Sequence, residues 1–299
     1  MKALVTGGAG FIGSHLVKKL VKKKYKVIVL DNLSTGSLKN LRLVKNKIDF
    51  IKCDITKNKI SSKIFRDIDY VFHLAGLSKA TESIKKPSKY FRANVKGTIN
   101  ILNYISKIKI KKFIYSASAS CYGNPKKIPT SEKDKIQNLT PYASTKWKAE
   151  KIIMEYAKKY KIPSISLRLF NVYGPGSLSS SPYSAVISVF VKQRKSNKPL
   201  TIVGDGLQTR SFVYVSDVVD GMIKAARSKV KNEIFNLGSK NSLTIISLAK
   251  LFKGRKIYIP KRLGDPRNSF SDIRKIQKIL RWRPKISISK GIRALLNEK

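Results

Sequence analysis

Short apolar runs rich in Val and Ile recur along the first 170 residues, separated by stretches whose apolar positions return every three or four residues. Runs of the first kind predict strands buried on both faces, and stretches of the second predict amphipathic helices that cover them. The expected strands are 2–6, 26–30, 48–52, 69–74, 111–116 and 163–168, with helices near 11–23, 87–107 and 142–160. The last opens after Pro141 and carries Ile152, Ile153, Tyr156 and Ala157 on its apolar side. Strand and helix in alternation predict an α/β fold with a doubly wound parallel sheet.

Beyond residue 170 the rhythm changes to loops rich in Gly, Pro and Ser, a helix near 184–195 and short strands around 200–203, 210–215 and 256–259. This predicts a nucleotide-binding domain over 1–170 and a smaller substrate lobe over 171–299, interleaved with the first because no linker separates them. Neither an internal repeat nor a low-complexity tract is visible.

Composition changes this picture little. An apolar content of 42% is ordinary for a globular chain of 299 residues. No apolar run reaches the ~18 residues of a membrane span, and the opening MKALVTGGAG reads as strand and turn, leaving no room for a signal peptide. Cys53 and Cys121 are too few for a disulfide framework, and no Cys/His cluster has metal-ligand spacing, so a cytoplasmic, metal-free protein is expected. The net charge of +46 raises the question of a nucleic acid or anionic membrane as partner. Of the 63 basic residues, however, 49 are Lys and 14 are Arg, and the lysines are spread over every predicted helix. Phosphate recognition favours the planar fork of Arg, so compositional drift accounts for the charge better than a binding surface does.

Candidate chemistry begins at Gly7-Gly8-Ala9-Gly10-Phe11-Ile12-Gly13, between the first strand and the first helix. Gly7 and Gly10 permit a tight turn against a pyrophosphate, Gly13 permits close helix–strand packing, and the helix N-terminus faces the negative charge, as in a Rossmann dinucleotide site. Asp31, ending the second strand, suits the two ribose hydroxyls and repels a 2′-phosphate, and no Lys or Arg follows closely. NAD is therefore expected over NADP. In Pro141-Tyr142-Ala143-Ser144-Thr145-Lys146, Tyr142 and Lys146 stand four apart on one helix face. A nearby ammonium favours the phenolate and equips the tyrosine as a base.

In order, TGGAGFIG, DNLSTG, HLAG, NVKGT, SASASCYG, PYASTK, LRLFNVYGPG and GDGLQTRSFVYVSDV resemble the extended short-chain dehydrogenase/reductases of the NAD-dependent epimerase/dehydratase family, from Met1 to about Trp282. The resemblance implies that Phe11, Ile12, Asn32, Asp54, Ile55, Leu74, Ala75, Gly76 and Asn94 join the cofactor site, Asp54 and Ile55 at the adenine. It also implies Ser118 as the third catalytic residue beside Tyr142 and Lys146, with Ser116 and Ser120 as weaker candidates. Ser120, Asn171, Arg210, Arg262 and Ser269 would then meet the substrate, the two arginines at its diphosphate. Similar 4,6-dehydratases and decarboxylases carry acidic residues after the catalytic hydroxyl, whereas Ala119, Ser120 and Cys121 follow here.

What remains is simple oxidation followed by reduction, and the resemblance to the epimerases implies that this is 4-epimerisation of a UDP-sugar through a 4-keto intermediate. The alternatives are another nucleotide-sugar oxidoreductase on the same fold and a non-catalytic binding protein. Related epimerases limited to unmodified hexoses carry a bulky residue, typically Tyr, where Ser269 stands, so N-acetylated sugars are expected to be accepted. A homodimer is implied as well, built from the helices near 87–107 and 142–160 and burying Ile99, Leu102 and Ile153.

Overall fold

The computed structural model describes residues 1–57, 60–177, 186–261 and 266–298. The first half runs β1 (Lys2–Thr6), α1 (Phe11–Lys22), β2 (Lys26–Asp31), β3 (Ile48–Lys52), β4 (Tyr70–His73), α2 (Ala80–Lys85), α3 (Pro87–Phe91), α4 (Gly97–Ile105), β5 (Lys112–Ser118), α5 (Pro141–Lys159) and β6 (Ser164–Leu169). The second runs β7 (Asn171–Tyr173), α6 (Val186–Lys195), β8 (Leu200–Val203), β9 (Thr209–Arg210), β10 (Phe212–Tyr214), α7 (Val215–Arg227) and β11 (Glu233–Leu237). It closes with β12 (Leu243–Thr244), α8 (Ile245–Phe252), β13 (Lys256–Ile259), β14 (Asn268–Ser269), α9 (Arg274–Leu280) and α10 (Ile288–Leu296).

All six first-half strands form at or near their expected places and pair in parallel in a seven-stranded sheet of order β11-β6-β5-β4-β1-β2-β3. Side-chain alternation explains why both faces are apolar. Ala3 and Val5 of β1 face Leu16, Val17 and Leu20 of α1, together with Val218 and Met222 of α7. Leu4 faces Ile101, Leu102 and Ile105 of α4 and Ile153 of α5. Each face is thus covered by helices, and the chain reverses direction across the sheet between β1 and β4, where a crevice opens beyond the strand ends.

Three expectations are revised. The seventh strand, β11, comes from the second half, so the central sheet is not built from residues 1–170 alone. The helix expected over 87–107 is α3 and α4 joined by a π-helical turn, Arg92–Lys96, which carries Asn94. The strand expected over 210–215 is β9 and β10 with Ser211 between them, and Val215 already opens α7. A separate core of Ile187, Phe190, Leu200, Ile202, Leu248 and Phe252 supports the second-half elements.

A buried ion pair ties the halves together. Arg168 of β6 meets Glu150 of α5 at 2.6 Å, Ser166 donates to the same carboxylate at 2.7 Å, and Arg168 also donates to the Tyr122 hydroxyl at 2.8 Å. That hydroxyl donates in turn to Asn236 of β11 at 2.7 Å. Every partner is satisfied, as charges out of water require.

Candidate active site

Two adjoining cavities occupy the crevice. The larger, of about 420 Å³, is lined by Phe11, Ile12, Gly13, Ser116, Ser118, Ser120, Tyr142, Lys146, Asn171, Arg210 and Ser269, among others. The smaller, of about 100 Å³, is lined by Gly10, Asp31, Asn32, Asp54, Ile55 and Ala75. Gly7, Leu74, Gly76 and Leu77 border both, making one trough from Asp31 to Tyr142.

The glycine turn shapes its floor. Gly7 has φ 71°, and a Cβ there would stand 2.6 Å from the Ala75 nitrogen. At Gly13 a Cβ would lie 2.1 Å from the Gly7 carbonyl oxygen, so neither position has room for a side chain. Gly10 caps α1 without a side-chain hydrogen bond, leaving first-turn N–H groups for an anion. Asp31 accepts from the Ala9 and Leu33 amides at 2.9 and 2.8 Å, one on each oxygen, which fixes its carboxylate at the rim of the smaller cavity. A long trough, a bare-backbone turn at a helix start and a fixed carboxylate fit NAD. Asn94 lines neither cavity. Its side chain accepts from the Leu77 amide at 2.7 Å and donates to the Leu77 carbonyl at 3.1 Å, holding the trough wall from behind.

Ser118 ends β5, and Tyr142 and Lys146 stand one turn apart at the start of α5. Thr140 caps that helix through the Ala143 amide at 3.2 Å, and the Tyr142 amide donates to Ser83 at 3.0 Å. The Ser118 and Ser120 hydroxyls lie 2.9 Å apart. Burial pushes the Tyr142 phenol above its ordinary value, with its hydrogen bond to Ser118 opposing. The expected lowering by Lys146 is therefore not the dominant effect in the protein alone. Burial instead pushes Lys146 itself down to about 7, Glu150 opposing, and its ammonium lies 4.4 Å above the Tyr115 ring.

On the opposite wall, β9 and β14 place Arg210 beside Ser269 in register. Asn171 donates to the Ser211 carbonyl at 3.0 Å and to the Ser269 hydroxyl at 3.4 Å. Arg262 lies outside the described residues. Lining residues that the motifs did not single out include Leu77, Ser78, Phe170 and Asn268, which carry no chemistry that a sequence pattern would flag. Among the described lining residues of the larger cavity, Lys146 and Arg210 are charged and none is Asp, Glu, His or Cys.

A model of the NAD dependent epimerase/dehydratase family matches residues 3–238. The chain belongs to that family. A UDP-glucose 4-epimerase of Lactobacillus helveticus is 38% identical, with 95% of this chain and 92% of that protein covered. The crystal structure of a Thermotoga maritima UDP-glucose 4-epimerase with UDP-glucose superimposes with a TM-score of 0.94 at 35% identity, covering 99% of this chain and 97% of the other. So does a UDP-N-acetylglucosamine 4-epimerase of Methanobrevibacter ruminantium in complex with UDP-N-acetylmuramic acid, with a TM-score of 0.94, 32% identity and coverage of 99% and 96%. Among the described residues no helix is long and apolar enough to cross a membrane.

Proposed function

We propose that this family member is an NAD-dependent UDP-sugar 4-epimerase. The observation that carries the assignment is a catalytic cavity with Ser118, Tyr142 and Lys146 but no carboxylate among its described lining residues. Elimination of water removes a proton at a second carbon, and loss of CO2 leaves an enolate that takes a proton at a second carbon, so either calls for a further acid or base. Among the described residues this site supplies one proton-transfer centre, enough to oxidise and re-reduce a single carbon.

When bound, NAD supplies the hydride acceptor and donor, held by the Gly7–Gly13 turn, Asp31, Asn32, Asp54, Ile55 and the Leu74–Gly76 wall. Tyr142 takes the proton from the sugar 4-hydroxyl, and Ser118 shares it. Lys146 stabilises the phenolate. The 4-keto sugar turns about its diphosphate link, offers its other face and receives the proton back from Tyr142. We assign the clamp on the diphosphate to Arg210, with Arg262 as second cation, and substrate binding chiefly to residues 171–299. A panel of UDP-, dTDP- and GDP-sugars, scored for 4-epimers, tests the assignment, and turnover is expected with UDP-sugars.

Within that panel Ser269 sets substrate width. Its short side chain borders the larger cavity beside Asn171, leaving space for an N-acetyl group that a larger residue would fill. UDP-N-acetylglucosamine is therefore expected to react alongside UDP-glucose, and Ser269→Tyr to lower the ratio of acetylated to plain turnover by about 10-fold or more. An unchanged ratio removes Ser269 as the gate.

We further propose a homodimer through α4 and α5, in a reducing, cytoplasmic setting that suits the free Cys53 and Cys121. The contact residues are corrected here: Leu102 and Ile153 are buried in the chain's own core, while Ile99 is partly buried. The half-buried Trp147 and Ile152 of α5 are the better candidates. Light scattering should give about twice the chain mass of 33.7 kDa; a value near one chain mass contradicts the dimer.

A further inference from the structure

His73, at the end of β4, lines neither cavity and is fully buried. Both ring nitrogens are engaged. Thr98 donates its only hydroxyl proton to the Asn94 carbonyl at 2.7 Å, so at 2.9 Å from His73 Nε2 it accepts. The neutral ring therefore carries its proton on Nε2, and Nδ1 accepts from the Thr6 hydroxyl at 2.7 Å. Thr6 in turn accepts from the Ala75 amide at 3.2 Å.

From Asn94 the line continues. Its side-chain amide donates to Thr145 Oγ1 at 3.0 Å, and Thr145 donates to the Tyr142 carbonyl at 2.9 Å. Two runs of hydrogen bonds, one from Ala75 through Thr6, His73 and Thr98 to the Asn94 carbonyl and one from the Asn94 side-chain amide through Thr145 to the Tyr142 carbonyl, are thus joined through the body of Asn94. At one end Ala75 abuts Gly7 and Leu77 borders the trough; at the other stands the proton-transfer residue. The His73 ring also stacks on Tyr115 at 5.8 Å, and the same Tyr115 ring carries Lys146 Nζ on its face.

We propose that His73, with Thr98, is a positioning residue: it fixes the Ala75–Leu77 wall of the cofactor trough relative to the α5 turn that carries Tyr142. The proposal rests on the epimerase reading for its catalytic consequence and on the trough alone for its effect on NAD binding. Misplacement of reacting groups by about 1 Å costs on the order of 100-fold in rate, so loss of the link should appear in turnover more than in sugar binding.

The test compares His73→Phe, which keeps the ring stack but neither hydrogen bond, with Thr98→Val, which removes the hydroxyl at nearly constant shape, and with Thr98→Ser, which keeps it. For Phe and Val, kcat should fall by about 10- to 100-fold while KM for the UDP-sugar moves less than about 3-fold, and NAD affinity of the stripped protein should fall several-fold. Thr98→Ser should restore both. The double variant should be about as impaired as either single one, because both cut the same line. Normal kcat and NAD affinity in folded Phe and Val variants, or a double variant whose losses multiply, overturns the proposal. Should His73→Phe fail to fold, the Val/Ser pair at position 98 decides. If the unaltered protein epimerises no UDP-sugar, the epimerase reading falls and NAD affinity alone decides the role of His73.

Discussion

Tyr142→Phe should keep the fold and the bound cofactor yet lower turnover by about 100-fold or more, the scale of losing a positioned acid–base group. The structure gives the reason for the split. The Tyr142 ring is held by its edge contact with Tyr90 and by the α5 backbone, through the amide bond to Ser83 and the carbonyl bond from Thr145. None of these needs the hydroxyl. That hydroxyl faces Ser118 and the cavity, so its removal deletes the atom proposed to move the proton and little else. Steady-state kinetics with UDP-galactose, alongside absorbance of the retained dinucleotide, reads both halves. Turnover within a few-fold of normal would mean that another group moves the proton.

Mild acid should destabilise the protein through His73. Burial, with Lys146 adding to it, pushes this imidazole down to about 3 in the folded chain. An unfolded histidine titrates near ~6.5. Between those values the unfolded chain binds a proton that the folded chain refuses, so the stability tied to His73 is complete above about pH 6.5 and falls as the pH drops toward about 3. At ~1.36 kcal/mol per unit, the full loss is on the order of 5 kcal/mol. His15 shifts in the same direction, again chiefly by burial, so a single curve does not isolate His73. Urea denaturation between pH 7 and 4.5 should show a shallower acid slope for His73→Gln than for the unaltered protein. Equal slopes would contradict a buried neutral His73.

What the sequence displays and what it hides follow from the range of the forces involved. Strands β1, β2, β4 and β5 are legible because each holds a continuous apolar run, while β3 and β6 show through the apolar residues they keep between polar ones. Strand β11, EIFNL, is as buried but lies where the surrounding pattern has become irregular. Its membership depends on pairing with β6 across some seventy residues of chain. The glycine turn and the Tyr142–Lys146 pair are legible because their chemistry is set by local spacing. The depressed Lys146 is not, since its cause is burial against Tyr115, which only the assembled sheet provides. Asn94 is visible as part of a motif, but its place behind the trough wall follows from the π-helical turn that carries it. The Arg168–Glu150 pair had no local signal at all, because two isolated charges in an alternating pattern read as surface residues until the fold encloses them.

The central claim is that one carbon loses and regains the same hydride with no proton exchanged at a neighbouring carbon. Incubating the purified protein with UDP-galactose in D2O, without added cofactor, and following the sugar by proton NMR and mass spectrometry tests this directly. The account predicts UDP-glucose with no deuterium on any ring carbon. Deuterium at a sugar carbon, loss of water from the hexose, or no 4-epimer would contradict it.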